Sequence, residues 1–223
     1  MITYHDELIQ GSEEWLAARC GMLTASEMHL ILTPTLKIAN NDKTRAHVYE
    51  MAAQRITGYV EPHYISDDML RGMNDENTAR ELYGTKFDAV QTTGFVVNSR
   101  YGFKLGYSPD GLIGDTGLIE IKSRRQKFQV QTVIEGVPDE YALQVQTALL
   151  VTGRAWVDYI SYSGGMPMTV QRVTPNATMM DAILAAATEF EAKVAAVIQQ
   201  YNEQLTKLRS VPTERVIEQE ITL

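Results

Sequence analysis

The amino-acid sequence predicts an α/β fold in one domain, 1–223, with a small sheet flanked by helices. Three observations carry that expectation. Residues 10–84 are punctuated by helix starts and glycine stops. Residues 90–175 hold short runs of branched and aromatic residues around glycine turns, and residues 177–209 repeat apolar positions at helical spacing. Residues 12–20 and 24–32 read as two short helices, with Ser12 and Thr24 placed to accept the first free amides. A helix over 41–56 stops at Gly58, and one over 67–82 stops at Gly84. Segments 92–98, 103–107 and 118–122 read as strands. Pro138 opens a helix that runs to Thr152 before Gly153. Strands over 156–162 and 168–173 are joined by Ser163-Gly164-Gly165. In the last helix Ile183, Ala187, Phe190, Val194, Val197, Tyr201, Leu205 and Leu208 step by three and four, a stripe that reads as packing surface.

Composition bounds the chemistry. With 44% apolar and 22% charged residues the chain has the balance of a soluble globular protein. It shows neither a basic, apolar leader nor a run of the roughly 20 apolar residues that cross a bilayer, so a cytoplasmic protein without membrane contact is expected. Cys20 is the one cysteine, which excludes an internal disulfide, an iron–sulfur cluster and a zinc finger. A metal here must bind through oxygen, which favours magnesium, manganese or calcium. The net charge of −8 argues against a sequence-indifferent DNA coat. It leaves an enzyme untouched, because a groove can gather its basic residues while a metal site needs carboxylates. The four histidines, His5, His29, His47 and His63, are scattered and read as structural.

The informative stretch runs from Gly106 to Ser123. Gly114-Asp115-Thr116-Gly117 has the composition of a hairpin turn. With the turn centred between residues 115 and 116, Asp110 falls opposite Ile121 and beside Glu120. Side chains alternate along a strand, so Glu120 and Lys122 share a face while Ile121 points into the core. Two carboxylates and one ammonium then meet at one point, and the two carboxylates with the Ile121 carbonyl suit a hard divalent cation. Such a cation activates water and stabilises charge on a phosphoryl oxygen, with Lys122 beside it. The alternative is a surface hairpin with ordinary charged decoration; Leu118, Ile119 and Ile121 speak instead for a buried strand.

Ser108-Pro-Asp-Gly111 followed by Glu120-Ile-Lys122 resembles the PD-(D/E)xK nucleases, and more narrowly the phage lambda exonuclease and YqaJ viral recombinase family. Three more segments fit in order: Gln10-Gly-Ser-Glu-Glu-Trp15 through Arg19 with Leu23-Thr-Ala-Ser-Glu27, then Gly72-Met-Asn-Asp-Glu-Asn77, then Gln144-Val-Gln146. The resemblance implies a restriction-endonuclease-like core sheet. It also implies a 5′-to-3′ exonuclease that digests one strand of linear duplex DNA to 5′-mononucleotides and leaves a 3′ single strand for recombination. Asp110, Glu120 and the Ile121 carbonyl would hold magnesium or manganese, two ions per site, with Lys122 next to the attacking water. Glu76 matches a helical glutamate of that centre, although its spacing alone reads as an i,i+4 ion pair with Arg80. Arg19, Ser26, Ser108 and Gln144 match a cluster that grips the terminal 5′-phosphate. On the residues alone Arg19 is a helix residue, Ser26 a helix start and Ser108 a turn former. Gln144 and Gln146 lie about 200° apart on a helix, and the resemblance selects Gln144. Trp15 matches a family tryptophan and reads as a core anchor. The family prototype's arginine, carried on a loop that enters the DNA, has no counterpart in 32–40, where Lys37 is the early cation and Lys43 and Arg45 follow.

By the same resemblance the partners are DNA ends with a 5′-phosphate, a single-strand annealing protein and two further copies of the chain in a trimeric ring. Two other readings compete. A restriction-type or structure-specific endonuclease of the same fold usually carries an added recognition element, for which the chain leaves no room. A non-catalytic DNA-binding module would be expected to have lost Asp110, Glu120 or Lys122, and all three are present.

Overall fold

Local capping decides where the first helices begin in the computed structural model, which describes residues 1–62 and 66–215, so that His63 lies outside the described residues. Strand β1 (Ile2–His5) precedes helix α1 (Glu13–Arg19), whose start is fixed by the Ser12 hydroxyl accepting the Trp15 amide at 3.2 Å. Strand β2 (Leu23–Thr24) leads into Ala25–Leu30, where the sequence predicts an α-helix and the structure forms a 3-10 turn. The Glu27 carboxylate accepts from the Thr24 amide at 2.8 Å and from its hydroxyl at 2.7 Å. A segment this short gains too few bonds to repay α-helix nucleation, and the tighter turn suffices.

Helix α2 (Asp42–Thr57) is ended by Gly58 at φ 66, as predicted, and Asn41 caps its start. Helix α3 (Asp67–Lys86) continues through Gly84, which keeps a helical backbone instead of the left-handed one that would stop it. The chain then forms β3 (Val90–Gln91), β4 (Phe95–Asn98), β5 (Leu105–Tyr107), β6 (Gly111–Ile113) and β7 (Gly117–Ser123). Helices α4 (Gln126–Glu135) and α5 (Asp139–Thr152), strands β8 (Trp156–Tyr162) and β9 (Thr169–Val173), and helix α6 (Ala177–Leu205) complete the order. Strands β1, β2 and β3 and helix α4 are additions to the predicted set, and the sequence predicts β6 only as the first arm of the hairpin. Strands of two to four residues leave almost no alternation to read, and α4 starts at Arg125 without a side-chain cap.

Two sheets result, in the orders β1-β4-β5-β2 and β3-β6-β7-β8-β9. The β7–β8 pair is parallel, with α4 and α5 forming the crossover such a pair needs. In the β6–β7 hairpin Gly111 faces Ile119, Leu112 faces Leu118 and Ile113 faces Gly117. Asp110 is therefore level with Glu120, one place from the expected Ile121. The cause is a three-residue loop, Gly114-Asp115-Thr116, opened by Gly114 at φ 47; an odd loop shifts the pairing by one.

Strand β7 is covered on both faces. Ile119 and Ile121 pack with Ala79 and Tyr83 of α3. Leu118 joins the larger core that contains Leu143, Val145 and Leu149 of α5 together with residues of α2, α6 and the 3-10 turn. The predicted stripe divides: on α6 Ile183, Ala187, Phe190 and Val194 are buried, whereas Tyr201 and Leu205 are exposed, as is Leu208 beyond the end of the helix. Among the described residues no helix is long and apolar enough to cross a membrane.

The segment after β1 crosses the start of β4 so closely that only glycine fits. The Gly94 amide donates to the His5 carbonyl at 3.2 Å, and a Cβ at Gly94 would lie 1.9 Å from the Leu8 carbonyl oxygen. Backbone atoms cannot step aside as a flexible side chain can. Gly94→Ala should therefore cost about 2 kcal/mol or more in urea denaturation. Unchanged stability would show that the crossing segment moves away freely.

Candidate active site

The centre is built on β7. Glu120 is 1% exposed, and its carboxylate accepts from three elements: the Tyr107 hydroxyl of β5 at 2.6 Å, the Gln144 amide of α5 at 2.5 Å and the Lys122 ammonium at 2.8 Å. Strand alternation puts Glu120 and Lys122 on one face, which is why a neighbour two residues on can pair with it. Asp110 approaches from the other hairpin arm, where its Oδ2 accepts the Ile121 amide at 2.6 Å. The amide and carbonyl of one strand residue point the same way, so the Ile121 carbonyl faces the Asp110 side. Glu76 on α3 shares with Asp110 a cleft of about 610 Å³ that Gln10, Asn77 and Arg80 also line. Glu76 forms the i,i+4 ion pair with Arg80, and the Arg80 Nε donates to the Asp110 carbonyl at 2.6 Å. The ion pair that spacing suggests and the place beside Asp110 that the resemblance implies thus coexist in one residue.

The electrostatics follow from burial. Desolvation, then the charges of Glu120 and Glu76, push the Asp110 carboxyl well above the usual aspartate range. Desolvation also raises Glu76, with Arg80 pulling the other way. Burial works against the Lys122 ammonium, but Glu120 and Asp110 outweigh it and hold its pKa above the ordinary lysine value. Tyr107 is raised by burial and by Glu120, so it stays a hydroxyl donor. Among the described residues no three carboxylates stand together as a ready-made metal cage. Asp110 and Glu120 beside the Ile121 carbonyl are hard oxygen donors whose repulsion a divalent cation would relieve, and in that respect they fit such an ion.

The second group lies around β2 and α1. The Arg19 guanidinium donates to the Thr24 hydroxyl at 3.3 Å and stacks on the Trp15 ring at 4.1 Å. The Thr24 hydroxyl meets Ser26 at 3.2 Å, and the Trp15 indole donates to Ser108 at 3.0 Å. Arg19, Ser26 and Ser108 are thus connected through Thr24 and Trp15. Trp15 is half-buried and also donates to the Gly94 carbonyl at 3.2 Å, so it acts as a bracket between α1 and this group instead of as a core anchor. Burial lowers the Arg19 pKa, opposed by Glu27. Gln144 stands apart from this group, on Glu120, while Gln146 is buried against Thr174 and Asn176 behind the site. Lys37 is exposed on a tight loop held by Thr33, and Arg45 pairs with Asp42.

Sequence reasoning assigned no role to Tyr107, and it treated Arg80 only as a partner for Glu76. Tyr107 lies three residues before Asp110, but its hydroxyl partner depends on how the two sheets meet, which a linear pattern does not carry. Arg80 reaches Asp110 only because α3 packs on the hairpin.

A family model for a YqaJ-like viral recombinase domain matches residues 14–155. Among solved structures the chain is similar to an alkaline exonuclease from Laribacter hongkongensis, with 32% identity, a TM-score of 0.79 and coverage of 89% of this chain and 100% of the other. The same enzyme in complex with dAMP matches equally, at 32% identity and a TM-score of 0.79, over 89% of this chain and 100% of that one. A phage-related exonuclease from Haemophilus somnus 129PT shares the fold at 15% identity and a TM-score of 0.55, over 83% of this chain and 96% of that one. No match was found among curated proteins.

The raised Asp110 carboxyl has a consequence for stability without metal. Because the folded value lies above the unfolded one, stability is lost as pH rises through the folded value. Asp110→Asn keeps an acceptor for the Ile121 amide and removes the charge. In chelator at neutral pH the variant should melt at a higher temperature than the unmodified protein, with the difference shrinking toward about pH 4. A variant that melts lower at every pH would contradict the repulsion described.

Proposed function

We propose, from the premise that this chain belongs to the YqaJ-like viral recombinase domain family and has the fold of the phage exonucleases, that it is a metal-dependent 5′-to-3′ exonuclease. It digests one strand of linear duplex DNA to 5′-mononucleotides and leaves a 3′ strand for annealing. The observation that carries this reading is the spacing of Ser108 and Asp110. Ser108 belongs to the Arg19 and Ser26 donor group, and Asp110 to the carboxylate centre. Two residues of chain span at most about 7 Å, so a phosphate held at the first group places the next phosphate of the same strand at the second. That geometry favours cleavage one nucleotide from an end.

Each residue then has a task. Arg19 offers a fork to the terminal phosphate, with Ser26 and Ser108 as neutral donors. Asp110, Glu120 and the Ile121 carbonyl would hold magnesium or manganese, two ions, which would supply activation of water and neutralisation of phosphoryl charge. Lys122 orients the attacking water and Glu76 accepts a hydrogen bond from it. Gln144 and Tyr107 keep the Glu120 carboxylate in one rotamer. Lys37, exposed on the loop between the 3-10 turn and α2, contacts the duplex backbone.

Three copies closing into a ring, working in the cytoplasm with an annealing protein that takes up the 3′ strand, complete the reading. A chain of net charge −8 holds a long polyanion poorly by itself, and enclosure solves that by topology.

Linear duplex with a 5′-phosphate should be degraded faster than the same duplex with a 5′-hydroxyl, and covalently closed circles should stay intact. Arg19→Ala should shrink the preference for the phosphate, and Lys122→Ala should abolish hydrolysis with the fold retained. Equal rates on both ends for the unmodified protein would remove the phosphate pocket, and nicked circles would turn the reading to an endonuclease. Sedimentation equilibrium should find three times the chain mass; a monomer that persists with DNA and calcium would exclude the ring.

A further inference from the structure

Arg80 makes more contacts at the centre than an ion pair on a helix surface needs. Its Nη2 pairs with Glu76, its Nη1 donates to the Asn77 side-chain oxygen at 2.8 Å, and its Nε donates to the Asp110 carbonyl at 2.6 Å. The first two partners lie on α3, and the third is the residue that precedes β6. One planar fork thus ties the helix to the hairpin at the point where their carboxylates meet. Asp110 is held at both ends as a result: its main-chain carbonyl by Arg80 and its side chain by the Ile121 amide at 2.6 Å.

We infer that Arg80 is a positioning residue that sets both Asp110 and Glu76 in the catalytic geometry, and that it does not itself bind DNA. The inference rests on the nuclease reading above and deepens it. Arg80 lines the cleft, but three of its five donors are already directed at protein oxygens, so a phosphate contact would have only the two remaining ones and would not use the planar fork. Apolar packing does not duplicate the link. Ala79 and Tyr83 hold α3 to Ile119 and Ile121, but they lie on the buried side of the helix and fix neither Asp110 nor Glu76. Lysine cannot replace the fork, because one ammonium on a flexible stem cannot hold three divergent acceptors in a plane.

The experiment compares the unmodified chain with Arg80→Lys and Arg80→Ala on 5′-phosphorylated linear duplex, reading kcat, KM, the salt dependence of KM and the melting temperature. Misplacement of about 1 Å costs up to a hundredfold, so kcat should fall by about tenfold to a hundredfold in both variants. KM should stay within about twofold and its salt slope should not change, since no phosphate contact is lost. Arg80→Lys retains the charge and should restore little of the rate, with both variants melting close to the unmodified protein. Full rescue by lysine would overturn the inference in favour of charge alone. A raised KM with a salt slope smaller by about one and kcat intact would overturn it in favour of a phosphate contact. Unmodified kinetics in both variants would also refute it while leaving the nuclease reading in place. Absence of hydrolysis by the unmodified chain would instead sink that reading and the inference together. Should Arg80→Ala not fold, Arg80→Lys and Asn77→Ala give the same comparison, the latter freeing one arm of the fork and expected to lower kcat less.

Discussion

Burying the carboxylate of Glu120 inside a sheet is the constraint on which the rest of the structure turns. An ion taken out of water costs several kcal/mol unless its oxygens are fully met. Here the donors come from β5, α5 and β7 itself, so those three elements must converge to fractions of an ångström. Gly106 in β5 is part of that demand. A Cβ there would lie 2.4 Å from the Phe95 ring, so β5 seats against β4 only without one, and Tyr107 follows directly. The parallel pairing of β7 with β8 serves the same end, because its crossover carries α5, and with it Gln144, back over the strand.

The site has two sides with different physical characters. The α5 side is tightly paired: Glu120 has all its oxygens engaged, and Lys122 also lies 5.2 Å from the Tyr141 ring, which is itself packed on Tyr159. The α3 side opens to the cleft and carries Glu76, whose desolvation is only partly offset by Arg80. Asp110 is the joint between them. One side is rigid enough to orient groups, and the other is open enough to admit a substrate.

What the sequence discloses follows from which interactions are local. Ser12, Gly58 and Gly153 act within a few residues of themselves, and the helix ends they predict are the ones observed. The shared face of Glu120 and Lys122 is equally local, since it depends only on strand alternation. The hairpin register is not, because a two- or a three-residue loop hangs on the backbone angle of Gly114, which composition leaves undecided. Helix α4 escaped notice for a related reason. Its anchor is Gln129, bonded to the Ser161 and Pro167 carbonyls across the crossover, so its stability is tertiary. Tyr107 and Arg80 were hidden in the same way, each meaningful only once two distant elements touch.

The pairing of Glu120 with Tyr159 and Ile121 with Ile160 also governs when the centre can come into being. A parallel neighbour arrives only after the whole crossover has been synthesised, and closing so long a loop is slow compared with forming a hairpin. Until Trp156–Tyr162 leaves the ribosome, β7 has β6 on one side and an open edge on the other, rich in Leu118, Ile119 and Ile121. Such an edge invites pairing with another chain. The strand that carries Glu120 and Lys122 is thus open to aggregation in the nascent protein, and one event both covers its edge and brings the candidate site together.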